Sequence, residues 1–233
     1  MPSGRRHLSP VAAGRDSPGA CSLPKSQPAI NSTPSVLGLI LVIVVAHVLR
    51  ILLPPTLSVQ VLISGGFAPS EFLALLLGQP VPLPALVLVS PLSYALLHGG
   101  FLHIFTNIAF LLAFGTVVDR RIGGLPFLVL FALSTIAGAF FMLGIYLVNG
   151  VPLVVVGASG GISGLFGALV RFALRRQAVA IIVFIGVNIL ISYTGFASFG
   201  EVQQVAGGAH IGGFLAGWLL LPLFDPWRRR PLA

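Results

Sequence analysis

Residues 157–176 read GASGGISGLFGALVRFALRR, and they place two serines and five glycines in apolar sequence that ends in three arginines. The apolar segment around them, 153–174, is long enough at roughly 17–25 residues to cross a bilayer as a helix. Polar side chains at such depth usually face a protein interior or a wet cavity, and by default they mark function. The stretch therefore predicts a membrane-spanning helix that carries part of a functional site.

Two further polar clusters occur in similar apolar surroundings. His98, His103 and Asn107 form the pattern H-x4-H-x3-N, and His210 lies in the pattern A-H-x2-G-x3-G. A serine, a distant histidine and extra hydrogen-bond donors are the groups that an acyl-transfer site needs. Hydrolysis of a peptide bond within a membrane is the hypothesis that these residue types favour.

The composition is that of a membrane protein. Of 233 residues, 56% are hydrophobic and 8% are charged, with a mean hydropathy of +1.03, whereas soluble domains are roughly 25% charged. A soluble core of this size needs much less apolar sequence, so we predict a multi-span membrane protein. The single cysteine, Cys21, excludes an intrachain disulfide and a Cys–His zinc site. We expect no metal and no cofactor.

The net charge of +8 would suggest nucleic acid in a soluble protein, but its distribution here indicates membrane topology. Basic residues are grouped in the first 25 residues and at 120–121, 171–176 and 228–230. Clusters of this kind at alternate span ends follow the positive-inside rule. We therefore expect a lipid bilayer around the chain and no nucleic-acid partner.

We predict an all-α membrane protein with six transmembrane helices. The spans are 36–53, 101–118, 125–148, 153–174, 178–195 and 205–224. Residues 1–34 are predicted to be a disordered cytoplasmic tail, 35–226 the membrane domain, and 227–233 a basic cytoplasmic tail. With both termini in the cytoplasm, we expect the chain in a bacterial inner (plasma) membrane.

Residues 54–97 are apolar enough at 81–97 to suggest a seventh span. Prolines at 82, 84 and 91 interrupt helical hydrogen bonding there. A further span would also move every later basic cluster to the outer side. We therefore predict an outer loop with short interfacial helices between the first two spans.

The polar residues of three spans converge at one depth. At about 1.5 Å per residue, Ser159 lies about 18 Å above Arg171, and His210 about 22 Å above Asp225. Asn107 and His103 lie about 18 and 24 Å from Asp119 by the same measure. Small residues then permit close packing of the two later helices: Gly160, Gly164, Gly213 and Gly217.

Ser159 and His210 are the candidates for nucleophile and general base. A serine hydroxyl needs an adjacent base to lose its proton, and His210 is the histidine near the matching depth on a closely packing helix. His103 and Asn107, one helical turn apart, and the Ser159 backbone N–H could hold an oxyanion. Nearby carboxylates lie outside this slab, so a Ser–His dyad is predicted.

Structural interpretations exist for each residue alone. A serine in a membrane helix can bond its own backbone, and an intramembrane histidine can relay protons or join helices. Ser163 offers a second G-x-S-G pattern about 6 Å deeper, and we favour Ser159 over it. His98 precedes its span, and for it we favour a hydrogen bond to the loop.

The ordered set of motifs resembles the rhomboid intramembrane serine proteases over roughly residues 36–225. In that family H-x4-H-x3-N lies on the second core helix, G-x-S-G at the start of the fourth, and A-H-x2-G-x3-G on the sixth. The resemblance implies Ser159 as nucleophile and His210 as base. It places His103, Asn107 and the Ser159 amide around the oxyanion.

The resemblance also implies a supporting role for His98, and it includes Gly157 as the first residue of G-x-S-G. The implied substrate is the transmembrane segment of another protein, cut near the outer face without metal or ATP. Two positions depart from the family pattern. Ser163 replaces an aromatic residue that packs on the catalytic histidine, and Val89 and Ser90 stand where a Trp-Arg pair is common.

Two other functions remain open from the sequence. A non-catalytic member of the same fold could bind client transmembrane helices, although inactive relatives usually lose the serine or the histidine. A small-solute transporter is supported only by general hydrophobicity, because the paired broken helices and coupling-ion carboxylates of transporters are not evident.

Overall fold

A computed structural model describes residues 32–194 and 206–225 of the chain. These residues form ten α-helices joined by short connections. The helices are α1 (Pro34–Ile51), α2 (Pro55–Gly65), α3 (Pro69–Leu76), α4 (Pro84–Ser93), α5 (Phe101–Phe110), α6 (Thr116–Ile122), α7 (Gly124–Asn149), α8 (Ser159–Ala173), α9 (Gln177–Thr194) and α10 (Gly207–Phe224). The predicted tails, apart from residues 32–34, lie outside the described residues.

Five helical segments in the described part of the chain are long and apolar enough to cross a membrane. They are α1, α7, α9, α10 and the continuous segment Phe101–Ile122, in which a π-helical segment joins α5 to α6. The predicted all-helical membrane bundle is confirmed. The predicted fourth span differs, because α8 has only 15 residues.

The start of α8 corrects the predicted span 153–174. Residues before Ser159 are not helical, since Val155 forms an isolated antiparallel bridge with Phe67 through two backbone hydrogen bonds of 2.8 and 2.9 Å. Gly157 then adopts a φ of +110°, a conformation that a right-handed helix cannot include. The apolar run 153–156 is therefore a strand-like approach to the helix.

Residues 54–97 fold as the predicted series of short helices. Pro55, Pro69 and Pro84 each stand at the first helical position, where the missing N–H costs nothing and the fixed φ favours the helix. The apolar segment Pro84–Leu96 is too short to count among the candidate spans. The suggested seventh span is therefore not formed.

The centre of the bundle is built from α7, α8 and α10, which lie in backbone contact. A Cβ added to Gly213 would collide with the carbonyl oxygen of Gly160, and one on Gly217 with that of Gly164. Such approach is open only to glycine, and it replaces hydrophobic burial as the means of helix association in lipid. We call this set of contacts, Gly213 with Gly160 and Gly217 with Gly164, the α8–α10 glycine contact. It brings the first turn of α8 beside the first turns of α10.

Ionic and hydroxyl contacts join the helices at one end of the bundle. Arg121 donates to Asp225 at 2.7 Å and lies 4.4 Å from the centre of the Phe172 ring. At the same end Thr33 donates to the carboxylate of Asp119. Helices α1, α6, α8 and α10 are thereby connected far from Ser159.

Candidate active site

Ser159 is the first residue of α8, where the backbone N–H groups have no partner within the helix. The approach to it is held by two hydrogen bonds: Gly157 N–H donates to the carbonyl of Tyr94 at 3.0 Å, and Ala158 N–H donates to His98 Nε2 at 3.4 Å. The turn at Gly157 thus presents Ser159 at the positive end of the helix dipole.

His210, in the first turn of α10, lies against Ser159. Its Nε2 is 2.8 Å from Ser159 Oγ, and both residues are only half-buried. The contact depends on the α8–α10 glycine contact, because Cβ atoms there would hold the helices apart. Ser163 lies one turn further along α8, and the serine hydrogen bond to His210 is made by Ser159.

His103 places a ring nitrogen beside the turn that precedes Ser159. Gly99 N–H donates to His103 Nδ1 at 3.4 Å, so the proton of the neutral ring is on Nε2. A Cβ on Gly157 would lie only 2.5 Å from that Nε2. Gly157 therefore provides both the turn and the space in which His103 can direct an N–H bond toward the site.

Asn107 is buried one turn further along α5. Its Nδ2 donates to the carbonyl of His103 at 2.8 Å, and its Oδ1 is buried without a hydrogen-bond partner in the described structure. An amide nitrogen carries two hydrogens, so a second N–H bond remains for a ligand. The described geometry fixes Asn107 against its own helix.

His98 is fully buried, and its Nε2 accepts the hydrogen bond from Ala158 N–H in the turn that precedes Ser159. Its ring centroid lies 5.1 Å from that of His103 and 6.4 Å from that of His47. Its carbonyl accepts a hydrogen bond of 3.0 Å from the buried Arg50. Burial, with a smaller contribution from His103, holds the pKa of His98 well below its usual range, which leaves Nε2 free to accept from Ala158.

Asn188 is the residue that the sequence reasoning missed. It lies on α9, and its Oδ1 is 2.7 Å from His210 Nδ1. A signal was present: Asn188 is a carboxamide within an apolar span, about 17 Å along α9 from Gln177. The same depth measure that grouped Ser159 and His210 places Asn188 with them.

Within 32–194 and 206–225, no group of three or more His, Cys, Asp or Glu side chains is placed to hold a metal ion. The polar groups around Ser159 are instead a hydroxyl, imidazoles and carboxamides, which are suited to proton transfer and to binding a developing oxyanion.

The fold and the site together define a helical membrane protein with a serine–histidine pair at a buried helix N-terminus. The Rhomboid domain model matches residues 87–226, which include Ser159, His210 and Asn188. The chain belongs to the rhomboid family, and it is an integral membrane protein.

Relatives of this chain include proteins named as proteases and others named only as rhomboid-like. Putative rhomboid protease YdcA of Bacillus subtilis is 31% identical over 140 residues, which are 57% of this chain and 64% of that protein. Rhomboid protease GluP of the same organism is 32% identical over 130 residues, 54% of this chain and 24% of GluP. RHOMBOID-like protein 5 of Arabidopsis thaliana is 30% identical over 130 residues, 53% of this chain and 40% of that protein.

Proposed function

We propose that this chain is an intramembrane serine endopeptidase that uses Ser159 as nucleophile and His210 as general base. The observation that carries the proposal is the 2.8 Å contact between Ser159 Oγ and His210 Nε2 at the N-terminus of α8. The family includes relatives named as proteases, and this chain keeps both residues of the dyad.

In the proposed reaction, Ser159 Oγ attacks the carbonyl carbon of the scissile peptide while its proton passes to His210 Nε2. The tetrahedral intermediate collapses with loss of the amine, which takes that proton from the imidazolium. Water, deprotonated by His210, then attacks the acyl-enzyme, and the carboxylic acid leaves as Ser159 recovers its proton. The cycle consumes one water and restores both side chains.

The oxyanion of the intermediate needs donors, and three groups are proposed for it. The Ser159 backbone N–H is unpartnered within α8, His103 carries its proton on Nε2 beside Gly157, and Asn107 has a second amide hydrogen. In other enzymes, loss of one such donor lowers kcat by about 10²- to 10³-fold. We assign His98 the role of holding the nucleophile turn in place.

The proposed substrates are transmembrane segments of other membrane proteins. Helical peptide bonds are shielded by their own hydrogen bonds, so segments that unwind easily are expected to be cut. The proposed location is a bacterial plasma membrane with both chain termini in the cytoplasm, since the basic clusters follow the positive-inside rule for that orientation.

The test is cleavage of a reporter transmembrane substrate by purified protein in proteoliposomes. Ser159→Ala is expected to lower kcat by at least about 10³-fold, as loss of a nucleophile does in serine proteases, and His210→Ala to a similar degree. Ser163→Ala is the matched control, because it removes the same hydroxyl one turn away, and it should keep most activity.

Undiminished cleavage by Ser159→Ala would refute the assignment of the nucleophile. If wild-type protein neither cleaves reporters nor reacts with a fluorophosphonate, yet retains transmembrane peptides on purification, the proposal of an endopeptidase fails. The alternative, a rhomboid-like protein that binds client helices, would then be correct.

A further inference from the structure

We propose that Asn188 is a positioning residue for the base, making the proposed Ser159–His210 pair a Ser–His–Asn array across three helices. This inference rests on the proposed function. Asn188 is the only buried residue within Gln177–Thr194, and its Oδ1 lies 2.7 Å from His210 Nδ1. The two hydrogen bonds of His210 thus connect α9 on one side with α8 on the other.

The orientation of the Asn188 amide is decided by its second contact. Its Nδ2 donates to the carbonyl of Phe184 at 2.9 Å. A carbonyl oxygen only accepts, so the nitrogen of the amide belongs on that side and the oxygen belongs against His210. A flipped amide would lose this bond by placing two acceptors together.

The amide orientation sets the tautomer of His210. Asn188 Oδ1 can only accept, so the hydrogen of the neutral imidazole is on Nδ1. Nε2 then has its lone pair directed at Ser159 Oγ, where a general base needs it. As the proton of Ser159 moves to Nε2, Asn188 Oδ1 also stabilises the imidazolium through the Nδ1–H bond.

The packing between α9 and α10 holds Asn188 in this place. Gly207 lies where a Cβ would be 2.5 Å from the Asn188 backbone carbonyl oxygen and would collide with Ser192 Oγ. Deeper in the bundle the rings of Phe184 and Phe214 stack with centroids 4.3 Å apart. The helices therefore approach closely on either side of the Asn188–His210 bond.

The identity of residue 163 shows why this chain would need such a partner. An aromatic ring at that position could pack on the histidine, but residue 163 is a serine here, and its short side chain cannot restrain the imidazole by stacking. Hydrogen bonding from α9 supplies the restraint in its place. A structural role alone would give Asn188 an interhelical bond but no effect on the state of protonation of His210.

Asn188→Leu and Asn188→Asp separate the two roles. Leucine has the same branching and number of side-chain heavy atoms as asparagine but no acceptor, and aspartate keeps the acceptor and adds charge. We expect Asn188→Leu to keep its thermal unfolding temperature, to retain its KM, and to lower kcat and the rate of fluorophosphonate labelling of Ser159 by at least about tenfold. Ser192→Ala, the matched control on α9, should label at the wild-type rate.

For Asn188→Asp we expect labelling faster than in Asn188→Leu, because an acceptor faces Nδ1–H again. A carboxylate there also stabilises the imidazolium, so the acidic limb of the kcat/KM–pH profile should move to higher pH by about one unit. Asn188→Asp keeps the inference testable if Asn188→Leu does not fold.

Two results would overturn the inference while leaving the proposed function intact. One is wild-type labelling and kcat in a folded Asn188→Leu protein. The other is an Asn188→Asp protein with the wild-type pH profile. Absence of labelling in the wild-type protein itself would instead refute the proposed function, so the two failures are distinguishable.

Discussion

At the scale of single residues, Gly157 meets two demands at once. Its φ of +110° is strained for any L side chain, and its Cα faces His103 Nε2 closely enough that a Cβ would lie 2.5 Å away. The conformation aims Ser159 into the site, and the missing side chain leaves room for the imidazole. Backbone freedom and site geometry therefore depend on the same residue.

Gly157→Ala should therefore affect both stability and activity. We expect the free energy of unfolding to fall by about 1–3 kcal/mol from backbone strain, and fluorophosphonate labelling to fall at least about tenfold because His103 is displaced. Unfolding in detergent and labelling kinetics measure the two effects separately.

Gly150→Ala is the matched control for that strain. Gly150 also has a positive φ, +67°, but no atom lies within 4 Å of its Cβ position. This variant should lose about 1 kcal/mol and label normally. Equal labelling by Gly157→Ala and Gly150→Ala would contradict the proposed placement of His103.

Single residues also show how far the sequence could predict the site. Ser159 and His210 could be grouped from the sequence because the depth of each follows from the helical rise per residue and its distance along the chain from the nearest charged residue. Asn188 lies at a similar depth, but a carboxamide in an apolar helix can bond its own backbone, as Asn188 does to Phe184. Its rotation toward α10 depends on helix packing, which the span sequence does not contain.

At the scale of helices, the α8–α10 glycine contact determines whether the dyad can form. Gly164 and Gly217 bring the two backbones into contact, and Ser159 and His210 lie within the first turns of the same two helices. If a side chain at one of these glycines held α8 and α10 apart, Ser159 Oγ and His210 Nε2 would be too far apart to form a hydrogen bond.

We expect Gly217→Val to lower the thermal unfolding temperature and to abolish cleavage, since the added carbons would collide with the Gly164 carbonyl. Gly144→Ala on α7 is the control, because no atom lies within 4 Å of its Cβ position. There the change should stabilise the helix by about 0.5–1 kcal/mol. Thermal unfolding and reporter cleavage in the same detergent measure both, and an active, stable Gly217→Val would disprove the packing argument.

The start of α8 marks the limit of prediction at this scale. Residues 153–156 are as apolar as the helix that follows, so hydropathy assigns them to the same span. What ends the helix there is the backbone pairing of Val155 with Phe67, a residue far away in the chain. A long-range bridge of this kind leaves no periodicity to detect.

At the scale of the whole molecule, the charge distribution leads to a testable orientation. Cys21 is the single cysteine of the chain, and it lies in the tail that we predict to be cytoplasmic. In intact cells of a bacterial host, a membrane-impermeant maleimide should leave Cys21 unlabelled, and inverted membrane vesicles should label it. Labelling in intact cells would reverse the proposed topology.

A companion variant reports the other face of the membrane. Val151 is 58% exposed in the connection after α7, which the proposed orientation places outside. Val151→Cys in a Cys21→Ser background should therefore be labelled in intact cells. Both cysteine positions test the positive-inside argument. That argument depends on the sequence alone, since hydropathy and helix packing are unchanged by turning the bundle over.

The packing of α9 has a consequence for the timing of catalysis. Its one buried side chain within Gln177–Thr194 is Asn188, and the bond to His210 is 2.7 Å long. Hydrogen bonds fade beyond about 3.5 Å, so a displacement of α9 of roughly 1 Å releases the imidazole. In the proposed mechanism His210 is a competent base only while α9 stays packed beside it, so we expect lipid or a peptide that pushes α9 aside to interrupt the proposed catalysis.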